Sequence, residues 1–140
     1  MIKDFWFNLP VSNIKKSICF FTEIGFKLNE QFNNSDQAAS FFIGNKNVVM
    51  MLFHTNTFKT FLQHPITDTT KSNEVLFNID AENVDIVNEL VEKIKKAGGQ
   101  IVSEPAWHQG WMYSFNFCDL DGHRWNVLHM DMSKLQNLQN

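Results

Sequence analysis

Residues 74–99 read EVLFNIDAENVDIVNELVEKIKKAGG, a short strand pattern followed at once by a helix pattern. The strand is predicted over Glu74–Ile79, where β-forming residues are concentrated. Apolar residues then recur at helical spacing and predict an amphipathic helix; they are Val84, Val87, Leu90, Val91, Ile94 and Ala97. Gly98-Gly99 supplies the left-handed stop at the end of that helix. This segment therefore predicts a strand that leads directly into a helix.

The same order of elements occurs earlier in the chain. Phe5–Val11 predicts a strand, and Ser12 is expected to cap the helix that follows it and ends near Gly25. The buried face of this helix is predicted to contain Ile14, Ser17, Ile18, Phe21 and Ile24. The two halves of the chain therefore begin alike.

Short strand patterns follow each helix. In the first half they cover Phe26–Gln31, Ala39–Ile43 and Asn47–Phe53, with a short helix over Asn56–His64. In the second half they cover Gln100–Ser103, Trp111–Phe117 and His123–Met130. Each half is thus predicted as strand–helix–strand–strand–strand, which gives an α+β fold of two βαβββ modules.

We expect one domain over residues 1–132, with modules at about 3–64 and 74–131 and a polar linker at 65–73. Residues 133–140 are polar and are predicted to form a frayed tail. Two open half-sheets of this kind each leave one apolar face, and pairing them builds a cleft. That cleft is where a small ligand is expected to bind.

Composition excludes several classes of protein. The net charge is −3 and no basic stripe is present, so we expect no nucleic-acid partner. No apolar run reaches the roughly 18–20 residues that span a bilayer, and the N-terminus has no signal-peptide pattern. Cys19 and Cys118 lie far apart in the sequence and are expected to be free thiols. These features predict a cytoplasmic protein.

The opening and closing segments carry a family resemblance. Asn8-Leu9-Pro10-Val11, Ser17 and the run from Phe20 to Phe26 resemble the opening of a glyoxalase-like domain. Gly110-Trp111-Met112-Tyr113 and Asp119-Leu120-Asp121-Gly122-His123 resemble its closing strands. The family is the glyoxalase/bleomycin-resistance/extradiol-dioxygenase (vicinal oxygen chelate) superfamily, and the most similar branch is labelled predicted lactoylglutathione lyase. The resemblance covers roughly Lys3 to Asp131 and implies two paired βαβββ modules in an incomplete barrel around a cleft, usually in a homodimer.

The resemblance also implies where a metal ion would bind. Members that use a divalent metal hold it with side chains from four strands, typically His or Gln, Glu, His and Glu. The matching positions here are Trp6, Met51 or its neighbour, Glu74 and Asn126. Only Glu74 is an ordinary ligand for a hard metal, because indole offers no lone pair and a thioether is soft. We therefore expect no metal cofactor, and Zn, Ni, Mn or Fe would have to rely on Glu74.

Strand alternation and the same resemblance together predict a ligand pocket. Its expected residues are Trp6, Asn8, Met51, Glu74, Trp111, Tyr113 and Asn126. Aromatic side chains with a few polar groups are common in small-molecule sites. The alternative is that Trp6 and Met51 fill the space that a metal site would occupy.

Three functions follow from these alternatives. The first is a bleomycin-resistance-like protein that binds a small organic ligand in an aromatic cleft without a metal. The second is a metal-dependent enzyme similar to lactoylglutathione lyase, an isomerase or lyase in which Glu74 is the catalytic carboxylate. The third is a non-catalytic domain whose own side chains fill the cleft. The sequence leaves open whether the protein is an enzyme.

Overall fold

The computed structural model describes residues 1–139, with side chains up to Leu135. The chain divides into two compact units, Met1–Asp68 and a second unit that begins at Thr69. The division falls inside the segment 65–73 that the sequence predicts as a linker. Both units contain a mixed four-stranded sheet with helices, so the α+β class and the glyoxalase-like architecture are confirmed.

The first unit contains β1 (Trp6–Val11), α1 (Ile14–Glu23), β2 (Lys27–Leu28), β3 (Ala38–Ile43), β4 (Val48–His54) and α2 (Thr55–Leu62). The strands lie in the order β1-β4-β3-β2. β1 runs parallel to β4, and the other pairs are antiparallel. α1 returns the chain to the end of the sheet where β1 begins, so β2 has the same direction as β1. The antiparallel β2–β3 and β3–β4 pairs then reverse the chain twice, which leaves β4 parallel to β1.

The second unit repeats this plan with β5 (Leu76–Asp80), α3 (Val84–Ala97), β6 (Gln100–His108), β7 (Met112–Cys118), β8 (Arg124–Met130) and α4 (Met132–Gln139). Its strand order is β5-β8-β7-β6, with β5 parallel to β8. The order of elements that the sequence predicts for each half is therefore observed. Neither sheet is closed into a barrel.

Each sheet buries one face against its own helix. In the first unit, Phe21 of α1 stacks on Phe26 and packs against Phe41 of β3, with ring centroids 5.3 and 5.9 Å apart. In the second unit, Trp125 stacks on Phe117 at 6.2 Å, on the side where α3 buries its apolar residues. We call the opposite side of each sheet its open face.

The cap of the first helix differs from the prediction. The helix begins at Ile14, so Asn13 and not Ser12 is the residue immediately before it. The Asn13 side chain accepts a hydrogen bond from the Lys16 backbone N–H at 3.0 Å. Asn83 does the same for Ile86 at 2.9 Å at the start of α3. The helix also buries Phe20, which the predicted face omitted.

Two predicted strands have different lengths in the structure. β2 covers only Lys27–Leu28 because Asn29 turns the chain: its side chain accepts from the Gln31 N–H and its carbonyl from the Phe32 N–H. β6 extends to His108, well beyond the predicted end at Ser103, with irregular pairing to β7.

The predicted frayed tail is wrong for most of its length, since Met132–Gln139 forms α4. Asp131 begins this helix, because its carboxylate accepts bonds from the Ser133 N–H at 3.1 Å and the Ser133 hydroxyl at 2.6 Å. The Lys134 ammonium lies 3.7 Å from the Trp107 ring centroid and holds the helix to β6. Asn140 lies outside the described residues. Within the described part of the chain, no helix is both long and apolar enough to cross a membrane.

Candidate functional site

The open face of the first sheet carries three of the predicted pocket residues. Asn8 of β1 lies opposite Met51 of β4, and Met51 lies opposite Ser40 of β3. These residues form one row across the sheet. Trp6 lies two residues before Asn8 on the same face, and its side chain is 57% exposed. The structure therefore brings Trp6, Asn8 and Met51 together.

The open face of the second sheet carries a row of amides. Asn126 of β8 lies opposite Asn78 of β5 on one side and Asn116 of β7 on the other. Asn116 Nδ2 donates to Asn126 Oδ1 at 2.9 Å, and Asn126 Nδ2 donates to Asn78 Oδ1 at 2.8 Å. We call these residues the asparagine ladder. Sequence reasoning found Asn126, gave Asn78 no role and missed Asn116.

The two rows occupy equivalent places in the repeated units. Asn78 corresponds to Asn8, since each lies two residues into the overlap of a parallel strand pair. Met51 then corresponds to Asn126, the central member of each row. A thioether can neither donate nor strongly accept a hydrogen bond, so the first unit cannot form a ladder. Two sequence signals point to Asn78: the repeat of Phe7-Asn8 in Phe77-Asn78, and strand alternation, which places Asn78 on the same face as Glu74.

Glu74 lies apart from the ladder. It is exposed and sits in a bend two residues before β5 begins. The segment before the strand is held elsewhere, because Thr69 Oγ1 donates to the Asp121 carbonyl and Asn73 Nδ2 to the Gly122 carbonyl, at 2.6 and 3.0 Å. Pairing with β8 consequently starts only at Leu76, and the residue opposite Asn126 is Asn78. The predicted strand Glu74–Ile79 is thus shifted to Leu76–Asp80.

Tyr113 faces the other side of the second sheet. Its hydroxyl donates to Asn88 Oδ1 on α3 at 2.8 Å, and its ring packs 5.2 Å from that of Trp107. Side chains alternate along β7, so Tyr113 and Asn116 point to opposite faces. The structure separates Tyr113 from Asn126, which corrects their predicted grouping. Trp111 lies in the turn before β7, where its carbonyl accepts from the Asp131 N–H at 2.8 Å.

The residues at the metal positions do not fit a divalent ion. Trp6 has no lone pair to give, and Met51 is a soft ligand. Asn126 already uses its oxygen and its nitrogen within the ladder. Glu74 is left as a single exposed carboxylate. Among the described residues, no group of three or more His, Cys, Asp and Glu side chains is placed to hold a metal ion.

The most deeply buried carboxylate has a structural role. Asp119 Oδ1 accepts from the backbone N–H groups of Asp121 and His123, and Oδ2 accepts from Trp125 Nε1, all at 3.0 Å. Burial raises the pKa of Asp119, while the nearby His123 and these hydrogen bonds act in the opposite direction. These hydrogen bonds fix the turn between β7 and β8 and the start of β8.

Comparison with known proteins agrees with this architecture. Residues 5–127 match the Glyoxalase/Bleomycin resistance protein/Dioxygenase superfamily model. A hypothetical protein from S. aureus is 36% identical, with 92% of this chain and 94% of that chain covered and a TM-score of 0.81. A glyoxalase/bleomycin resistance protein/dioxygenase family enzyme from Burkholderia phytofirmans PsJN is 16% identical, with 92% and 100% covered and a TM-score of 0.78.

A third solved structure contains a metal. It is a mutant fosfomycin resistance protein from Listeria monocytogenes in complex with Mn(II) and 1S,2S-dihydroxypropylphosphonic acid. It is 20% identical, with the whole of both chains covered and a TM-score of 0.65, so it shows a shared fold. The curated proteins give no match.

Proposed function

Since this chain belongs to the Glyoxalase/Bleomycin resistance protein/Dioxygenase superfamily, we propose that it binds a small organic ligand and does so without a divalent metal. One observation carries the proposal: Asn126, at a position where metal-using relatives are expected to place a ligand, is bonded on both sides within the asparagine ladder. The open faces thus offer an aromatic surface and neutral amides in place of metal ligands.

Trp6 supports the ligand-binding part of the proposal. An exposed indole on the same face as the half-buried Met51 presents a flat apolar surface. Tryptophan is enriched at interfaces because it combines a large apolar ring with a polar N–H. Asn8, next on the same face, adds a hydrogen-bonding group. A flat or aromatic compound is therefore the chemistry that this face suits.

The proposal is tested by screening aromatic compounds for quenching of tryptophan fluorescence and for thermal stabilisation. The Trp6→Ala variant is expected to lose both responses. Phe5→Ala is the matched control, because Phe5 is a neighbouring aromatic that is 76% exposed, more than Trp6, and side chains of successive residues in an extended chain point to opposite sides. No stabilisation by any aromatic compound, or an unchanged response of Trp6→Ala, would count against ligand binding on this face.

The lyase alternative makes a different prediction. It requires turnover of the methylglyoxal–thiol adduct on addition of Ni, Zn or Mn, and loss of that turnover in Glu74→Ala. The donor set argues against it, because one exposed carboxylate gives too few ligands for an open catalytic site. We also propose the homodimer that the family resemblance implies, and light scattering at several protein concentrations tests it.

A further inference from the structure

The asparagine ladder has two different ends. At one end Asn116 is half-buried, and its Nδ2 donates a hydrogen bond to Asn126 Oδ1. At the other end Asn78 is exposed, and its Oδ1 accepts a single bond, from Asn126. Within the described residues, Asn78 Nδ2 donates no hydrogen bond. Asn78 therefore keeps two N–H donors and one oxygen lone pair for an external group.

This exposed amide is held in position before any ligand arrives. Asn126 fixes the oxygen of Asn78, and Asn116 fixes the oxygen of Asn126 in turn. The amide dipoles point the same way along the row, so each polarises the next and strengthens the donors at the Asn78 end. A preorganised group loses little side-chain entropy on binding.

The surroundings of Asn78 favour an uncharged ligand. Leu76, two residues earlier on the same face, is 51% exposed and offers an apolar surface. Asp80, two residues later on that face, is exposed and repels an anion. Arg124 lies opposite Leu76, but its Nε donates to Asn73 Oδ1 at 3.2 Å, toward the segment before β5. Because Asn73 is neutral, this bond leaves the positive charge of Arg124 in place, so the charges on the two sides of Asn78 are opposite in sign and favour neither an anion nor a cation.

We propose that Asn78 binds the amide edge of an uncharged carboxamide or lactam, with the apolar body of the ligand against Leu76. Such an edge presents a carbonyl oxygen beside an N–H, which matches the donor and acceptor that Asn78 has free. Asn uses the same pair of bonds to recognise a donor beside an acceptor on adenine. The inference rests on the proposed ligand-binding function and names a ligand class for the open face of the second sheet.

The test uses benzamide and its carboxylate counterpart, benzoate, as probes. Benzamide is expected to shift the side-chain amide resonances of Asn78 and Asn126 in a saturable way. Benzoate is expected to bind at least about tenfold more weakly than benzamide. Asn78→Asp keeps the size and the acceptor oxygen, but it replaces the NH2 group and its two N–H donors with a second oxygen and a negative charge. It is expected to weaken benzamide binding by about tenfold in ligand-observed NMR. Asn45→Asp, in the exposed turn between β3 and β4, is the matched control.

Equal binding of benzoate, or unchanged binding of benzamide by Asn78→Asp, would overturn the proposal. If benzamide quenches Trp6 without moving the Asn78 resonance, the ladder proposal fails and the proposed function stands. If no aromatic probe binds anywhere on the protein, both fail. Should Asn78→Asp not fold, the site-resolved shifts of the wild-type protein with the two probes decide the question alone.

Discussion

Asn126 donates a hydrogen bond from Nδ2 to Oδ1 of Asn78 over 2.8 Å, between two parallel strands whose residues are 48 positions apart in the sequence. The equivalent place in the first unit holds Met51 beside Asn8, where no such bond can form. The repeat has thus diverged into one sheet with a partly apolar open face and another with an amide row.

The ladder predicts an order of stability among its variants. Asn126→Ala leaves Asn116 Nδ2 and Asn78 Oδ1 without partners, so the free energy of unfolding is expected to fall by about 1–3 kcal/mol. Asn78→Ala leaves one group, Asn126 Nδ2 at the exposed end of the row, without its acceptor and is expected to cost about 1 kcal/mol or less. Urea denaturation measures both. Equal losses would mean that the ladder does not act as a connected row.

The turn before β8 depends on a glycine for two reasons. Gly122 has φ +80°, and a Cβ there would lie 2.6 Å from Thr69 Oγ1. Gly122→Ala is expected to destabilise the protein by more than about 1 kcal/mol, because the backbone strain at positive φ and the clash of the new Cβ with Thr69 both raise the energy of the folded state. Gly44→Ala is the control, since Gly44 has φ +70° and open space around it. Similar losses for the two variants in thermal unfolding would show that Thr69 yields without cost.

The asparagines that cap α1 and α3 give a prediction about the stability of their alanine variants. Asn13→Ala and Asn83→Ala are each expected to lower the free energy of unfolding by about 1 kcal/mol in urea denaturation. Each variant leaves one backbone N–H in the first turn of its helix without its side-chain acceptor. Asn13→Asp keeps the acceptor oxygen and is expected to restore most of the loss. Failure of aspartate to restore stability would argue against a capping role.

Asp119 predicts a pH dependence with a definite sign. Its pKa is raised above the ordinary 3.8, so the folded protein binds the proton more tightly than the unfolded chain. The stability that this tighter proton binding contributes is present in full below pH 3.8, and it is lost as the pH rises through the pKa of Asp119 in the folded protein. Asp119→Asn has no such dependence and also leaves Trp125 Nε1 less well paired.

The measurement is the free energy of unfolding of the wild type and of Asp119→Asn across this pH range. The wild type is expected to lose part of its advantage over the variant as the pH rises above about 4. An advantage that grows with rising pH would show that the hydrogen bonds outweigh burial and that the folded pKa lies below 3.8.

Local patterns predicted the order of the elements from β1 to β8, but they did not predict the site. The helix over Val84–Ala97 follows from apolar spacing and a glycine stop, both of which lie within one segment. The ladder depends on the register of β5, β7 and β8, which no local pattern contains. The predicted grouping of Tyr113 with Asn126 was wrong for a related reason. Alternation separates the two faces of one strand, but it does not say which faces of two strands coincide or which face a helix covers.

The C-terminal helix shows a missed local signal beside a tertiary one. Asp131 followed by Ser133 is a helix start that the sequence displays, and its capping bonds are local. The contact of Lys134 with Trp107 is not local, and a polar composition alone suggested a frayed end. Composition is a weak guide where a cap and one aromatic contact together hold a short helix.

The central claim, that this protein binds its ligand without a divalent metal, is tested most directly by equilibrium dialysis of chelator-treated protein against Ni, Zn, Mn and Fe(II). Bound metal is read by mass spectrometry. We expect none above background, because Trp6, Met51 and the bonded Asn126 leave Glu74 as the one ordinary ligand. About one metal per chain, lost in Glu74→Ala, would contradict the account and restore the metal-dependent lyase.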